Sequence, residues 1–161
     1  EDLRKDNLPA IAQHGMVLHA MGRKQDAIDQ YRRVLRLNPN YAPVLNNLAY
    51  LYAEDRDLNQ ALQYAVRAYV LAPADGSVND TLGYILVKKG KVEEGLKALK
   101  NAVALLPDNA TIHYHLGLAY RESGDMSKAK ESFSKALSLG DFPEKGDARR
   151  LLEQLEKEKS K

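Results

Sequence analysis

A chain of 161 residues is long enough for one ordinary domain or one short array of repeats. Its 44% hydrophobic and 29% charged residues make a soluble, folded composition, and 24 basic against 22 acidic side chains leave a net charge of +2, which makes no case for nucleic acid or an anionic membrane surface. The absence of cysteine removes disulfides, thiol catalysis and cysteine-based zinc sites, and leaves the compartment open between cytoplasm and periplasm. No apolar run approaches the ~20 residues of a membrane span, so direct membrane insertion is not expected. The chain opens with Glu1-Asp2-Leu3-Arg4-Lys5, which lacks the form of a secretory leader.

Residues 1–7 read as the tail of a preceding helix or repeat, and the chain therefore as a segment of a longer array. From there a period governs the sequence. Pro39, Pro73 and Pro107 each stand 34 residues after the last, and Gly15, Ala49, Gly83 and Gly117 keep the same step. So do Ala27, Ala61, Gly95 and Ala129, then Val34, Ala68, Ala102 and Ala136, and finally Tyr31, Ala65, Leu99 and Phe133. A fixed period of this size means stacked structural units. The expected units are 8–41, 42–75, 76–109 and 110–143.

Each unit reads as two helices. Leu45, Leu48, Ala49 and Tyr52 fall on one face of the first helix of the second unit, and Ala61, Ala65 and Ala68 on one face of its second. Small residues at 49 and 61 let the axes approach closely. Gly22, Gly90 and Gly124 stand between the paired helices as left-handed C-terminal residues. The second unit has Arg56 there, which predicts a strained or differently built turn, with Asp57 and Gln60 forming a capping box. The recurrent prolines stop each second helix. The fourth unit has Asp141 at the proline position and Pro143 beyond it, so its exit should differ. Gly95 inside a helix costs ~1 kcal/mol against alanine. Together with Asn79 at a large apolar position, it marks the third unit as the least well packed. Ala148, Leu151, Leu152 and Leu155 form the apolar stripe of a C-terminal capping helix over 144–161, fraying from Lys157.

The pattern large-x2-Leu-Gly-x2-Tyr, then Ala-x3-Phe, then Pro at this period resembles the tetratricopeptide repeat. The fourth unit carries it most fully, with His113, Leu116, Gly117, Tyr120, Gly124, Ala129, Phe133 and Ala136. The large first position holds Ile11, Leu45, Asn79 and His113 and never Trp, and His14 stands where the other units have Leu. The resemblance implies an all-α, right-handed solenoid of helix-turn-helix repeats whose first helices line a concave groove.

Chemistry is sparse by comparison. His14, His19, His113 and His115 lack the i, i+4 pairing of a helical metal site, so no metal, cofactor or catalytic residue is assigned. His14 and His113 read as packed, and His19 and His115 as groove or solvent residues. Arg32, Arg33 and Arg36, and Lys88, Lys89 and Lys91, are separated by Glu54, Asp55 and Asp57. They read as solvated faces and not as a nucleic-acid stripe.

By that resemblance, four series face the groove: Ala12, Asn46, Asp80 and Tyr114; Gln13, Asn47, Thr81 and His115; Met16, Tyr50, Tyr84 and Leu118; His19, Ala53, Val87 and Arg121. Helical geometry also sets them off the packing stripe. Tyr50, Tyr84 and Tyr114 offer broad amphipathic contact area, with packing on the next repeat as the alternative reading. Co-chaperones of the family grip a chain terminus with lysines, asparagines and an arginine. The matching positions are Ala12, Met16, Asn47, Ser77 and Thr81, or one unit later Asn46, Tyr50, Thr81, Thr111 and His115. Neither set holds the cations of such a clamp. Asn46 to Ala49 is similar to asparagine-bearing repeats of the O-linked N-acetylglucosamine transferase superhelix, and Asp80 to Tyr84 to bacterial arrays of the exopolysaccharide and protein-sorting type.

The expected function is a non-enzymatic scaffold that binds a protein or peptide in the groove through Gln13, Met16, Asn46, Asn47, Tyr50, Asp80, Thr81, Tyr84, Tyr114, His115 and Arg121. The alternatives are a substrate-recruiting arm of a larger enzyme or of a secretion or export assembly, and an array that self-associates through an uncapped N-terminal face.

Overall fold

Where each helix starts and stops follows from a few side chains. The computed structural model describes residues 7–158. They form helices α1 (Leu8–Ala20), α2 (Lys24–Leu37), α3 (Ala42–Glu54), α4 (Leu58–Leu71), α5 (Gly76–Lys88), α6 (Val92–Leu105), α7 (Ala110–Ser123), α8 (Met126–Ser138) and α9 (Lys145–Glu158). No strand occurs among the described residues. Residues 1–6 of the expected tail and 159–161 of the expected frayed end lie outside the described residues, whereas Lys157 and Glu158, where fraying is expected to begin, stand in α9.

Asn7, Asp57, Asp75, Asn109 and Asp125 cap their helices by accepting hydrogen bonds from backbone N–H groups of the first turn. The carboxylate of Asp57 takes the Gln60 N–H at 3.1 Å, which is one half of the expected capping box. Short turns of one build join α1 to α2, α3 to α4, α5 to α6 and α7 to α8. The left-handed residue is Gly22 (φ 76°), Gly90 (φ 79°) or Gly124 (φ 85°), and in the turn after α3 it is Arg56 (φ 63°). Arg23 N–H reaches Leu18 C=O at 2.9 Å, and Asp57 N–H reaches Tyr52 C=O at the same distance. The α3–α4 turn is therefore strained at Arg56 and not rebuilt. Helices α2, α4 and α6 stop two residues before Pro39, Pro73 and Pro107, while α8 stops at Ser138 and turns through Gly140 at φ 123°.

The chain divides into two compact units at Pro73–Ala74. In the N-terminal unit α1 packs on α2 and α3 on α4, with α3 also meeting α1 and α2. In the C-terminal unit α5 packs on α6, α7 meets both, α8 packs on α7, and α9 closes over α8. There Ala148, Leu151 and Leu155 of α9 are buried with Phe133 and Ala136.

The paired helices meet at the periodic small residues. A methyl group at Gly15 would lie 2.5 Å from the Tyr31 ring, and one at Gly117 would lie 2.6 Å from the Phe133 ring. At Gly95 it would lie 2.5 Å from Val87 Cγ2 and 2.9 Å from the Gly83 carbonyl oxygen. This overturns the expectation that Gly95 loosens its hairpin: its missing side chain is what lets α5 and α6 close. Asn79 is wholly buried, with its Nδ2 donating to Asp75 C=O at 2.8 Å. His113 is buried and its Nε2 donates to Pro107 C=O at 2.8 Å. His14 is exposed, contrary to the packed role read for it: Leu48, Leu82 and Leu116 at the same repeat position are buried, but no described helix precedes α1 to cover His14.

Candidate functional site

The first helices of the hairpins carry the residues singled out from the sequence, and the two units treat them differently. In the N-terminal unit Gln13 and Met16 are exposed on α1, while Asn46, Asn47 and Tyr50 are half-buried on α3. Burial pushes the Tyr31 phenol above its ordinary value, and a side-chain hydrogen bond with Asn47 partly offsets this. Asn47 is thus engaged with α2. Asn46 Oδ1 is buried with no hydrogen-bond partner among the described residues. His19 Nε2 meets Glu54 Oε2 at 2.8 Å, and its ring centroid lies 6.3 Å from that of Tyr50. Lys24 Nζ bonds Asp55 Oδ1 at 2.5 Å, which holds the ammonium above its ordinary pKa and ties α2 to the end of α3.

In the C-terminal unit a cavity of about 270 Å³ opens between α5 and α7, lined by Tyr84, Val87, Lys88, His115, Leu118, Arg121 and Glu122. His115 is only 3% exposed and its Nδ1 is 2.8 Å from Asp80 Oδ1. A carboxylate only accepts, so Nδ1–H donates and Nε2 remains as the ring's other polar atom. The Tyr84 ring stacks on His115 at 4.4 Å between centroids, and Lys88 Nζ lies 5.3 Å over the Tyr84 ring. Arg121 meets its neighbour Glu122 at 3.4 Å.

Three of the residues singled out in this unit, Asp80, Thr81 and Tyr114, do not open on the cavity. Thr81 is buried on α5. Tyr114 belongs to the core under α9, and its hydroxyl donates to Asp147 Oδ2 at 2.6 Å. The reading of Tyr114 as a tyrosine without a core role therefore fails, because α9 covers it. Burial first, and the bond to Asp147 second, push its phenol well above the ordinary value. Partial burial acts to raise the Asp147 carboxyl, but hydrogen bonds from Tyr114 and Arg150 outweigh it and hold the carboxyl below its ordinary value.

Sequence reasoning missed Lys88 and Glu122 as cavity residues and Asp147 as the partner of Tyr114. A usable signal existed for the buried pair. His19 and Glu54 are 35 residues apart, as are Asp80 and His115, one more than the repeat period. Residues at that offset on successive first helices are neighbours.

Helical hairpins stacked through recurrent small residues define a class, the all-α helical-repeat solenoid. A model described as a TPR repeat matches residues 15–55 and 83–124, and one described as a tetratricopeptide repeat matches residues 110–139. The chain belongs to the tetratricopeptide-repeat family. No curated protein sequence matches it. Among solved structures it is similar to a thermophilic TPR protein of Thermus thermophilus, with 28% identity and a TM-score of 0.78 over 92% of this chain and 80% of that one. MamA from Desulfovibrio magneticus is 27% identical, with a TM-score of 0.69 over 84% of this chain and 77% of that one. PilF of Pseudomonas aeruginosa has a TM-score of 0.82 over 98% of this chain and 71% of its own, and at 21% identity the likeness is one of fold alone. Family and fold together are those of a protein-interaction scaffold.

Proposed function

We propose that the chain is a non-enzymatic scaffold that binds a protein or peptide on the groove face of its first helices. The repeats doing so are 8–41, 42–75, 76–109 and 110–143, with 144–161 as the cap. The observation that carries this is the α5/α7 cavity, where Tyr84, His115, Leu118 and Arg121 combine aromatic, aliphatic and polar surface. The N-terminal unit offers Gln13, Met16, Asn46, Asn47 and Tyr50 on its own first helices, and Asn46 Oδ1 is a buried acceptor that a partner's N–H would satisfy. Asp80, Thr81 and Tyr114 act from beneath, with Asp80 orienting His115.

A pulldown with the intact chain, compared with the Tyr50→Ala/Tyr84→Ala double variant, tests the proposal. Binding should weaken by ~2 kcal/mol or more, within the range of interface hot spots, while helicity by circular dichroism stays intact. Full-strength capture by a folded double variant would remove the groove face from consideration.

A further inference from the structure

Two cations and one buried imidazole border the α5/α7 cavity. Lys88 comes from the last turn of α5 and Arg121 from the last turn of α7. Among the described residues the only acid lining the cavity is Glu122. Its contact with Arg121 is a 3.4 Å pair between adjacent residues, with side chains 35% and 53% exposed. Such a pair is weak and yields readily to a better-placed carboxylate. The charge of Asp80 is turned inward onto His115 Nδ1 and does not cancel the rim. His115 itself is almost wholly buried, lines the cavity, and keeps Nε2 as its second polar atom after Nδ1 is taken by Asp80. Val87 and Leu118 supply apolar wall, and Lys88 is held at the edge over the Tyr84 ring.

The cavity's 270 Å³ falls just below the ~300 Å³ at which small-molecule sites begin, a space for side chains rather than for a cofactor. The backbones of α5 and α7 are engaged in their own helices there, so only side chains can recognise a ligand. One buried ring nitrogen and two single cations on separate helices suit a carboxylate on a flexible side chain. They do not form the paired donor fork that fixes a chain terminus.

We propose that, within the groove described above and resting on that reading, this cavity takes a glutamate side chain of a partner peptide, with an adjacent aliphatic residue seated on Val87 and Leu118. Lys88 and Arg121 hold the carboxylate, Tyr84 packs on its methylenes, and His115 is the polar contact at the back of the cavity. The partner is an acidic, aliphatic segment internal to its chain.

The test titrates the intact protein with three probes, acetyl-Glu-Leu-amide, acetyl-Gln-Leu-amide and acetyl-leucine, following the ring and methyl signals of Tyr84, His115 and Leu118 by NMR. The glutamyl probe should saturate these signals with a dissociation constant roughly three- to fivefold below that of the glutaminyl probe, as expected for a carboxylate meeting partly exposed cations. The preference should shrink in about 0.5 M salt, where the Debye length falls to a few Å. Lys88→Met and Arg121→Gln should each reduce that preference, and an undiminished preference in both variants would overturn the proposal. Equal binding of the two dipeptides, no saturable shift at these signals, or a stronger response to acetyl-leucine would overturn the proposal. If the dipeptides bind equally while the tyrosine double variant still loses its protein partner, the glutamate site is wrong and the groove stands. If the glutamyl preference holds while that variant binds the partner at full strength, the site is right and the groove is wrong.

Discussion

Hairpin α3–α4 and hairpin α5–α6 meet the same packing requirement with different residues. In the first, Ala49 faces a helix carrying Ala61 and Ala65, all three wholly buried. In the second, the equivalent residues are Gly83, Gly95 and Leu99. Methyl groups at the glycines would strike Leu99, Val87 and the two facing backbones. The larger residue at 99 occupies the volume that the glycines give up. Hairpins α1–α2 and α7–α8 make the same exchange, with Gly15 under Tyr31 and Gly117 under Phe133. What the period keeps is a small residue on each first helix at the crossing, under a facing residue whose size varies from alanine to tyrosine.

The strongest way to break this comparison is to overfill a crossing. Gly117→Leu should destabilise by about 3 kcal/mol, because the Phe133 ring already lies where the new side chain begins. Adding Phe133→Ala should recover part of the loss by returning volume, and denaturant midpoints of both variants check it. A tolerated leucine at 117 would show that the crossing is not closed there.

Gly95→Ala gives a smaller and more pointed result. Helix propensity alone favours alanine by ~1 kcal/mol. The backbone oxygen of Gly83 at 2.9 Å cannot move aside as a side chain can, so overpacking should win by about 1–2 kcal/mol net. The reverse change in the other hairpin, Ala61→Gly, should also destabilise by about 1 kcal/mol, through the ordinary cost of helical glycine. Thermal unfolding of the two variants decides whether each hairpin prefers its own residue.

The turns sharpen the comparison further. Arg56→Gly should stabilise by about 1 kcal/mol, since the left-handed conformation is the same as that of Gly22, Gly90 and Gly124. Gly90→Arg should cost a similar amount, because nothing lies within 4 Å of the site and only backbone strain is left to act.

The smallest effect is a pH dependence confined to the C-terminal unit. The Asp147 carboxyl is lowered in the folded state, so its contribution is complete above the unfolded value near ~3.9 and is lost as pH falls through the folded one. Tyr114 is raised, so its share is complete below ~10 and is lost as pH rises beyond the folded value. Asp147 is 39% exposed and screened by solvent, which keeps its share under about 1 kcal/mol. Stability profiles of the protein and of Tyr114→Phe should converge at both pH extremes and separate between them.

The period made the helices legible, because glycine, proline and small apolar residues act through local backbone rules. The α9 stripe was legible for the same reason. What stayed hidden depended on distances between helices. Gly95 read as a defect because propensity is a property of one helix and closeness a property of two. Tyr114 looked like a groove residue until α9 covered it, and Lys88 looked like a solvated turn charge until the Tyr84 ring stood beneath it.

The crossing of α5 and α6 carries one more consequence. A substituent at Gly83 would point at the Gly95 carbonyl oxygen from 3.0 Å, and one at Gly95 would point at the Gly83 oxygen from 2.9 Å. In the glycines themselves that direction holds an α-hydrogen, so each residue aims a C–H at the other's oxygen. Two such contacts contribute about 0.5–1 kcal/mol each, and they involve main-chain atoms alone. Rotamer changes in neighbouring side chains leave them untouched. Amide protons along this crossing should therefore be among the last of the C-terminal unit to exchange with deuterium, persisting when the surrounding side chains have already loosened.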